Sequence, residues 1–275
     1  MRLDAHQHFW KFDPVKDAWI TDDMKIIQRD FMPEDLYPSL KQEGLDGCIA
    51  VQADQSENET LFLLELADKY EFIKGVVGWV DLCAADVGER LEYFSAFSKL
   101  KGFRHIVQGE PQDDFLLRKD FCRGISLLRQ YDFTYDILIH PRHLKYALEF
   151  IKLFPDQPFV IDHLAKPFIR EHILGEWKTD ISAIADISNV HCKISGMVTE
   201  ADWKNWKADD FAPYTDAVIE SFGPDRIMFG SDWPVCLVAA SYTQVCEIAI
   251  KQTDNLSENE QEKFWGLNAE RFYNR

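Results

Sequence analysis

The sequence has no apolar run long enough to cross a membrane. A membrane-spanning helix needs about 18 consecutive apolar residues, and polar or charged residues interrupt every stretch of that length. Near the N-terminus, Asp4, His6 and Lys11 break up the apolar segment that a secretory signal would require. We therefore expect a protein without membrane contact that is located in the cytoplasm.

Basic residues are also scarce. The chain has 30 Lys and Arg residues against 47 Asp and Glu residues, which gives a formal net charge of −17. Nucleic-acid phosphates call for a basic surface, so this balance argues against nucleic-acid binding. Neither a G-x-G-x-x-G fingerprint nor a phosphate-binding P-loop occurs in the sequence. The expected partner is therefore a small-molecule substrate.

Closely spaced cysteine pairs are absent. No two of the six cysteines form a C-x-x-C motif, and a disulfide framework is uncommon in a domain of this size. We therefore expect unpaired thiols, and no zinc ion held by cysteine. The six are Cys48, Cys83, Cys122, Cys192, Cys236 and Cys246.

Eight short β-rich runs recur along the 275 residues, with helical patterns between them. Leu144, Ala147 and Ile151, for example, fall on one helical face. Strands that alternate with helices predict a parallel sheet. Eight such units in a chain of this length predict an α/β fold with one domain, a (β/α)8 TIM barrel over residues 1–275. The runs are 3–9, 46–53, 73–81, 102–108, 134–140, 158–164, 190–196 and 226–232.

Two segments outside the eight runs also predict structural features. Residues 13–31 form a long connection after the first run, and it contains Trp19, Met24 and Phe31. Long loops in compact domains are usually functional, so this segment is predicted to be a lid over the barrel mouth. Residues 257–273 are predicted to form the final helix.

Chemically active side chains lie at the ends of four of the eight runs. His6 and His8 end the first run, and residues two apart in a strand project from the same face. His140 ends the fifth run, His163 the sixth and Asp232 the eighth. A lone histidine is often structural, and Asp232 could cap the next helix. Five such residues at the carboxyl ends of strands, however, indicate an active site, because that is where barrel enzymes place theirs.

Four motifs carry a family resemblance that extends along essentially the whole chain. They are DAHQHFW at 4–10, GFRH at 102–105, DHLAKP at 162–167 and FGSDWP at 229–234. This ordered set resembles the amidohydrolase superfamily and, more narrowly, its amidohydrolase 2 branch of lactonases. The resemblance implies a hydrolase that opens a small sugar-derived lactone, such as L-fucono- or L-rhamnonolactone, to its hydroxy acid. It also implies a homo-oligomer.

The resemblance further implies a metal site. His6, His8, His140 and Asp232 match positions that bind a divalent metal, zinc or manganese, in metal-dependent members, and such ligands suit these ions. His163 matches the position that orients water or polarises the substrate. The fourth run departs from the family pattern, because it lacks the Lys or Glu that bridges two metals. Since the branch also has metal-independent members, one metal and no metal both stay open.

The implied reaction is attack of water on the ring carbonyl. Asp232 would deprotonate the water. His140 and the His6/His8 pair would stabilise the charge that develops on the carbonyl oxygen, and a bound metal would share that role.

Residues near the same rim are candidate substrate contacts. Neighbouring strand residues alternate in direction, so only one of Arg104 and His105 can face the interior, and the sequence leaves that choice open. A tryptophan at this rim is suited either to stacking against a sugar ring or to packing within the barrel wall. The candidates are Gln28, Trp79, Asp81, Arg104, His105, Gln108, Lys166 and Trp233.

Other functions are compatible with the same residues. One is a metal-dependent decarboxylase of a small aromatic acid, in which Arg104 or Lys166 would hold the substrate carboxylate. Another is hydrolysis of an amide or an ester. The third is a sugar-binding barrel without activity, although all five strand-end positions are filled.

Overall fold

The computed structural model describes residues 1–274 and contains eight parallel strands in one sheet. Their order around the sheet is the order in the chain. At the carboxyl ends of the first and last strands, Asp232 N donates to His6 O at 2.8 Å and His8 N donates to Trp233 O at 2.7 Å. These bonds close the sheet and confirm the predicted (β/α)8 TIM barrel. The strands are β1 (Leu3–Gln7), β2 (Gly47–Val51), β3 (Ile73–Gly78), β4 (Leu100–His105), β5 (Thr134–Ile137), β6 (Phe159–Ile161), β7 (Val190–Ile194) and β8 (Ile227–Phe229).

Helices connect the strands and cover the barrel with their apolar faces. The α-helices are α1 (Pro33–Gln42), α2 (Glu57–Lys69), α3 (Val87–Ser95), α4 (Lys119–Leu128), α5 (Leu144–Lys152), α6 (Gly175–Ala185), α7 (Ala212–Phe222), α8 (Tyr242–Gln252), α9 (Glu258–Glu262) and α10 (Asn268–Tyr273). In α5, Leu144, Ala147 and Ile151 are buried, as their helical spacing predicts.

The C-terminal helix fills the amino end of the barrel. The predicted helix 257–273 forms as α9, a π-helical turn at Lys263–Leu267, and α10. Side chains of α10 pack with apolar side chains of five strands, so ligands reach the barrel interior from the carboxyl end. This cluster consists of Leu3, Ala5, Ile49, Val51, Val77, Val160, Met228, Ala269, Phe272 and Tyr273.

Residues 13–31 lie at the carboxyl end of the barrel, where the sequence predicts a lid. Trp19 lines the cavity described below, while Ile27 and Phe31 are fully buried. Lys16 Nζ lies 3.0 Å from Glu59 Oε2 on α2. Apolar anchors and an ion pair therefore hold this segment against the barrel.

No helix within residues 1–274 is both long and apolar enough to cross a membrane. The six cysteines are free, which confirms that the thiols are unpaired, and Cys48, Cys192, Cys236 and Cys246 are buried. A cytoplasmic location and assembly into a homo-oligomer stay predictions from the sequence.

Candidate active site

Two histidines and one carboxylate bring their polar atoms together at the carboxyl end of the barrel. The Nε2 atoms of His6 and His8 lie 3.3 Å apart. Asp232 Oδ1 lies 3.3 Å from His8 Nε2 and 3.9 Å from His6 Nε2. All three side chains are buried. His6 and His8 are two residues apart in extended backbone and therefore project from the same face. The backbone hydrogen bonds between the ends of β1 and β8 bring Asp232 beside them.

His8 turns its Nε2 atom toward the cluster. Its Nδ1 lies 2.8 Å from the carbonyl oxygen of Val51 on β2. A carbonyl oxygen only accepts hydrogen bonds, so Nδ1 carries the proton and donates it. In a neutral ring, Nε2 then has the lone pair, which is available to a metal ion or to a substrate proton.

His163 lies beside the same carboxylate. Its Nε2 is 3.8 Å from Asp232 Oδ1, and its ring centroid is 4.3 Å from that of His6. Its Nδ1 lies 2.9 Å from the hydroxyl oxygen of Ser195. Burial lowers the pKa of His163 to about 4. The ring is therefore neutral at neutral pH and can both donate and accept hydrogen bonds.

A left-handed turn carries His163 into the site. The four residues 163–166 have φ between 53° and 57°, a conformation that L-residues avoid. Trp177 Nε1 donates to Leu164 O at 2.7 Å and holds the turn. Gly196, with φ 62°, lies against the imidazole, and a Cβ there would be 2.5 Å from His163 Nδ1. The surrounding fold thus enforces a strained backbone at the site.

The structure decides between the adjacent residues of β4. Arg104 faces the site, and its Nη1 lies 3.2 Å from His6 Nε2. His105 faces away, since its ring stacks on Phe115 with centroids 4.8 Å apart. Trp79 Nε1 donates to His105 Nδ1 at 3.4 Å. Trp79 and His105 thus interact with each other rather than with the cluster.

Three buried charges beneath His6 were missed by the sequence analysis. His6 Nδ1 lies 3.2 Å from Asp162 Oδ1, and Lys193 Nζ lies 3.0 Å from the same oxygen and 2.5 Å from Asp136 Oδ2. Asp136 and Lys193 are single charged residues in otherwise buried strands. A single charged residue within an apolar strand is visible in the sequence and indicates a buried charge that needs a partner.

Asp4 is a further buried carboxylate that the sequence analysis did not assign. It accepts hydrogen bonds from Ser231 N at 2.9 Å and from Tyr242 Oη at 3.0 Å. Burial raises the pKa of Asp4 to about 6. These bonds tie β1 to the segment that carries Asp232, so Asp4 helps to place the Asp232 carboxylate.

The electrostatic surroundings keep Asp232 ionised. Burial alone would raise the pKa of Asp232, but the surrounding imidazoles of His163, His8 and His6 hold it well below its ordinary value. Burial also lowers the pKa of His6 well below its usual range. At neutral pH the site therefore contains a carboxylate that can accept a proton beside neutral imidazoles.

A cavity of about 290 Å³ adjoins the cluster. Three of the predicted substrate contacts, Arg104, Gln108 and Lys166, line it together with His8, His163 and Asp232. The buried Oε1 atom of Gln108 has no hydrogen-bond partner within the described chain. Sequence reasoning missed an apolar part of the lining, formed by Trp19, Ala53, Ile106, Leu138 and Val235.

His140 lies outside the donor cluster. Strand β5 ends at Ile137, and His140 begins a 3-10 turn, Pro141–His143, in which its backbone N–H donates to His143 Nδ1 at 3.0 Å. The structure does not place it with His6, His8 and Asp232 as a metal ligand. His163, from the next strand, takes the place beside the carboxylate.

Three other predicted substrate contacts do not line the cavity. Gln28 donates from Nε2 to the carbonyl oxygen of Ile20 at 3.1 Å and so stabilises the segment 13–31. Asp81 is exposed to solvent. Trp233 is buried against Phe31, with ring centroids 5.2 Å apart, and this is the wall packing that its sequence position also allowed.

The cluster has the composition of a single-metal site. His6, His8 and Asp232 each offer one ligand atom within 4.8 Å of the others, and imidazole nitrogen with carboxylate oxygen suits zinc or manganese. On β4, the residue that faces the site is the cation Arg104, and cations do not bridge metals. The residues present therefore fit one divalent metal ion.

Comparison with known proteins agrees with this geometry. The amidohydrolase family model matches residues 3–275. The chain is 39% identical to L-fucono-1,5-lactonase of Burkholderia multivorans over 99% of this chain and 96% of that protein. It is 36% identical to L-fucono-1,5-lactonase of Burkholderia ambifaria over 88% of this chain and 83% of that protein. A crystal structure of a Burkholderia multivorans amidohydrolase with bound zinc is 39% identical, with a TM-score of 0.96, and the match covers 100% of this chain and 99% of that chain. The chain belongs to the amidohydrolase family.

Proposed function

We propose that this protein hydrolyses the lactone of a small sugar acid, and that L-fucono-1,5-lactone is the substrate to test first. One observation carries the proposal: an ionised Asp232 lies between His8 and the neutral His163 on the wall of a cavity that two cations, Arg104 and Lys166, also line. A sequence identity of 39% to an L-fucono-1,5-lactonase over nearly the full length of both chains supports the proposal.

The chain's own residues account for the steps of the reaction. Asp232 accepts a proton from the attacking water and can return it to the ring oxygen as that oxygen leaves. Arg104 and Lys166 stabilise the negative charge that develops on the carbonyl oxygen. His163, held by Ser195 at 2.9 Å, orients the water or the substrate.

The metal site belongs to the same proposal. His6, His8 and Asp232 would hold one divalent ion, which would polarise the lactone carbonyl and acidify a bound water when present. We expect close to one zinc or manganese per chain by elemental analysis, and a loss of activity after chelation that added metal restores. Full activity in metal-free protein would overturn the metal requirement and leave the catalytic role to Arg104 and the histidines.

The cavity lining predicts a preference among sugar lactones. Its apolar residues suit a methyl group, as found at C6 of a 6-deoxy sugar acid. We expect kcat/KM for L-fucono-1,5-lactone to exceed that for L-galactono-1,5-lactone, which differs by one added hydroxyl, by roughly 10- to 100-fold, because an apolar pocket rejects a hydroxyl only moderately. Equal values for the two lactones would contradict this assignment of the apolar wall.

A pH-indicator screen tests the reaction class. Purified protein is assayed with sugar lactones, a pyrone dicarboxylate and a dihydroxybenzoate. Acid release from sugar lactones alone is the expected result. Carbon dioxide release from the aromatic acid would instead establish the decarboxylase alternative, and silence on every lactone would overturn the proposal.

A further inference from the structure

The guanidinium of Arg104 is held from two sides of the barrel interior. Its Nη1 donates to Asp162 Oδ2, at the end of β6, at 3.0 Å. Its Nη2 donates to the backbone oxygen of Gln52, directly after β2, and lies 3.4 Å from the side-chain oxygen Oε1 of the same residue. In this ring of eight strands, β2 and β6 are opposite each other. The guanidinium therefore cannot turn without breaking a hydrogen bond.

Gln52 also binds the backbone of Arg104. Its Nε2 donates to the Arg104 carbonyl oxygen at 3.1 Å, while its own N–H donates to Val77 O on β3 at 2.8 Å. The backbone of Gln52 is thus anchored to β3, and its side chain reaches past β3 to β4. Gln52 is 0% exposed and Arg104 is 3% exposed. One buried amide therefore fixes both the main chain and the side chain of Arg104.

Arg104 brings its charge to the cavity, and Gln52 lies behind it. Among the described residues, Arg104 lines the cavity and Gln52 does not. A charge that is already in place lowers the barrier because it need not move as the reaction proceeds, and a displacement of about 1 Å at a reacting group costs roughly 10²-fold in rate. An interaction that fixes the guanidinium therefore affects catalysis without touching the substrate.

We propose that Gln52 is a positioning residue, which fixes the Arg104 guanidinium where it stabilises the charge on the lactone carbonyl oxygen. The role of Arg104 rests on the proposed function. The hold of Gln52 on the guanidinium does not, because it can be measured without any substrate.

A double-mutant cycle tests the path through Arg104. Gln52→Met keeps the length of the side chain and removes both polar ends of the amide. We expect its kcat for L-fucono-1,5-lactone to fall about 10- to 100-fold with little change in KM, because the interaction lost acts in the transition state. In an Arg104→Met background, the same change should alter kcat by less than about twofold, since the contact is already gone. Losses that multiply across the two positions would overturn the proposal.

A second readout does not depend on turnover. Guanidinium ¹⁵N NMR measures rotation about the Nε–Cζ bond, and the Arg104→Met spectrum identifies the Arg104 signals. We expect separate Nη1 and Nη2 signals in the wild-type protein and rotation about 10-fold faster in Gln52→Met, the effect of losing one hydrogen bond of a charged group. Unchanged rotation would overturn the proposal. If no lactone is hydrolysed, the proposed function fails while this measurement still decides the inference.

The matched control is Gln157→Met. Gln157 is another buried glutamine, and its Nε2 donates to Phe133 O at 2.9 Å and to Pro158 O at 3.1 Å, at the amino ends of β5 and β6. We expect this variant to lose stability but to keep wild-type kcat and wild-type rotation of Arg104. A loss of kcat equal to that of Gln52→Met would indicate a merely structural effect and overturn the proposal.

If Gln52→Met does not fold, Gln52→Glu decides. It keeps an acceptor for Arg104 Nη2 and gives it a negative charge, and hydrogen bonds between charged groups are the stronger ones. We therefore expect slower rotation of the Arg104 guanidinium than in the wild-type protein. Rotation as fast as in the wild-type protein, or faster, would then overturn the proposal.

Discussion

Asp232 lies beside both His8 and His163 and lines the cavity. Replacing it by Asn keeps the size of the side chain but removes the proton acceptor. We expect Asp232→Asn to lower lactone turnover by about 10²- to 10⁴-fold, the usual contribution of a general base, with an unchanged circular dichroism spectrum.

The matched control is Asp81→Asn. Asp81 is exposed and does not line the cavity, so its replacement should leave turnover at the wild-type level. Wild-type activity in Asp232→Asn would contradict the role of Asp232 as the base. A large loss in Asp81→Asn would show that the true substrate site extends beyond the cavity described here.

The sequence predicted which residues meet, but not how each side chain is used. His6, His8, His163 and Asp232 were found because residue spacing and the barrel's polarity place strand ends together. The sequence could not show whether the side chain of Arg104 or that of His105 points into the barrel. Neighbouring strand residues alternate in direction, and only the packed barrel selects which of the two faces inward. His140 lies outside the donor cluster because it stands three residues beyond the end of β5, in extended backbone directly before the 3-10 turn Pro141–His143.

At the scale of elements, the left-handed turn at 163–166 depends on a neighbouring glycine. Gly196 and Gly223 have similar positive φ values, 62° and 69°. An alanine Cβ at Gly196 would lie 2.5 Å from His163 Nδ1, whereas one at Gly223 would have no heavy atom within 4 Å. Both Gly→Ala variants carry a backbone penalty of about 1–3 kcal/mol for positive φ, but only Gly196→Ala displaces His163.

We therefore expect Gly196→Ala to lose turnover by roughly 10²-fold, because a displacement of about 1 Å at a reacting group has that effect. Gly223→Ala should lose at least as much backbone stability, because φ 69° with ψ 169° is a conformation that almost only glycine adopts, and it should retain wild-type kcat. Unfolding by denaturant and steady-state kinetics measure the two quantities. Equal kcat values in the two variants would refute the dependence of His163 on Gly196.

Element boundaries were predicted less well than element types. The predicted runs extend two or three residues beyond the carboxyl ends of the strands, as at 134–140 against Thr134–Ile137 and 226–232 against Ile227–Phe229. The reason is physical: residues after the strands are buried in the site and look like strand residues by composition. Here the turns, not the strands, carry His163 and Asp232.

For the whole molecule, the C-terminal helix contributes much of the core at the amino end of the barrel. Phe272 is fully buried among strand side chains. We expect Phe272→Ala to lower the free energy of unfolding by about 3–5 kcal/mol, the usual result of truncating a buried phenylalanine. Denaturant titration measures this loss.

The comparison variant is Tyr93→Ala. Tyr93 lies on α3 and is 45% exposed, so its truncation should have a much smaller effect on the free energy of unfolding. If Phe272→Ala were no more destabilising than Tyr93→Ala, the C-terminal helix would not be a structural part of the barrel core.

The barrel as a whole was predictable from the sequence, whereas the pairing of the charged residues in its interior was not. Repeated strand and helix patterns specify (β/α)8 organisation locally, and each unit can be recognised by itself. The charges of Asp136 and Lys193 compensate each other only after β5 and β7 have joined the same closed sheet, although β6 separates them. No local pattern in the sequence encodes that pairing.

Ring closure and the candidate active site use the same residues. The backbone bonds from Asp232 N to His6 O and from His8 N to Trp233 O join the two edges of the sheet, and His8 and Asp232 are 224 positions apart in the chain. A nascent or truncated chain that lacks β8 therefore has no partly working site. Turnover becomes a reporter of completed folding, and a refolding experiment followed by activity would record the moment at which the last strand meets the first.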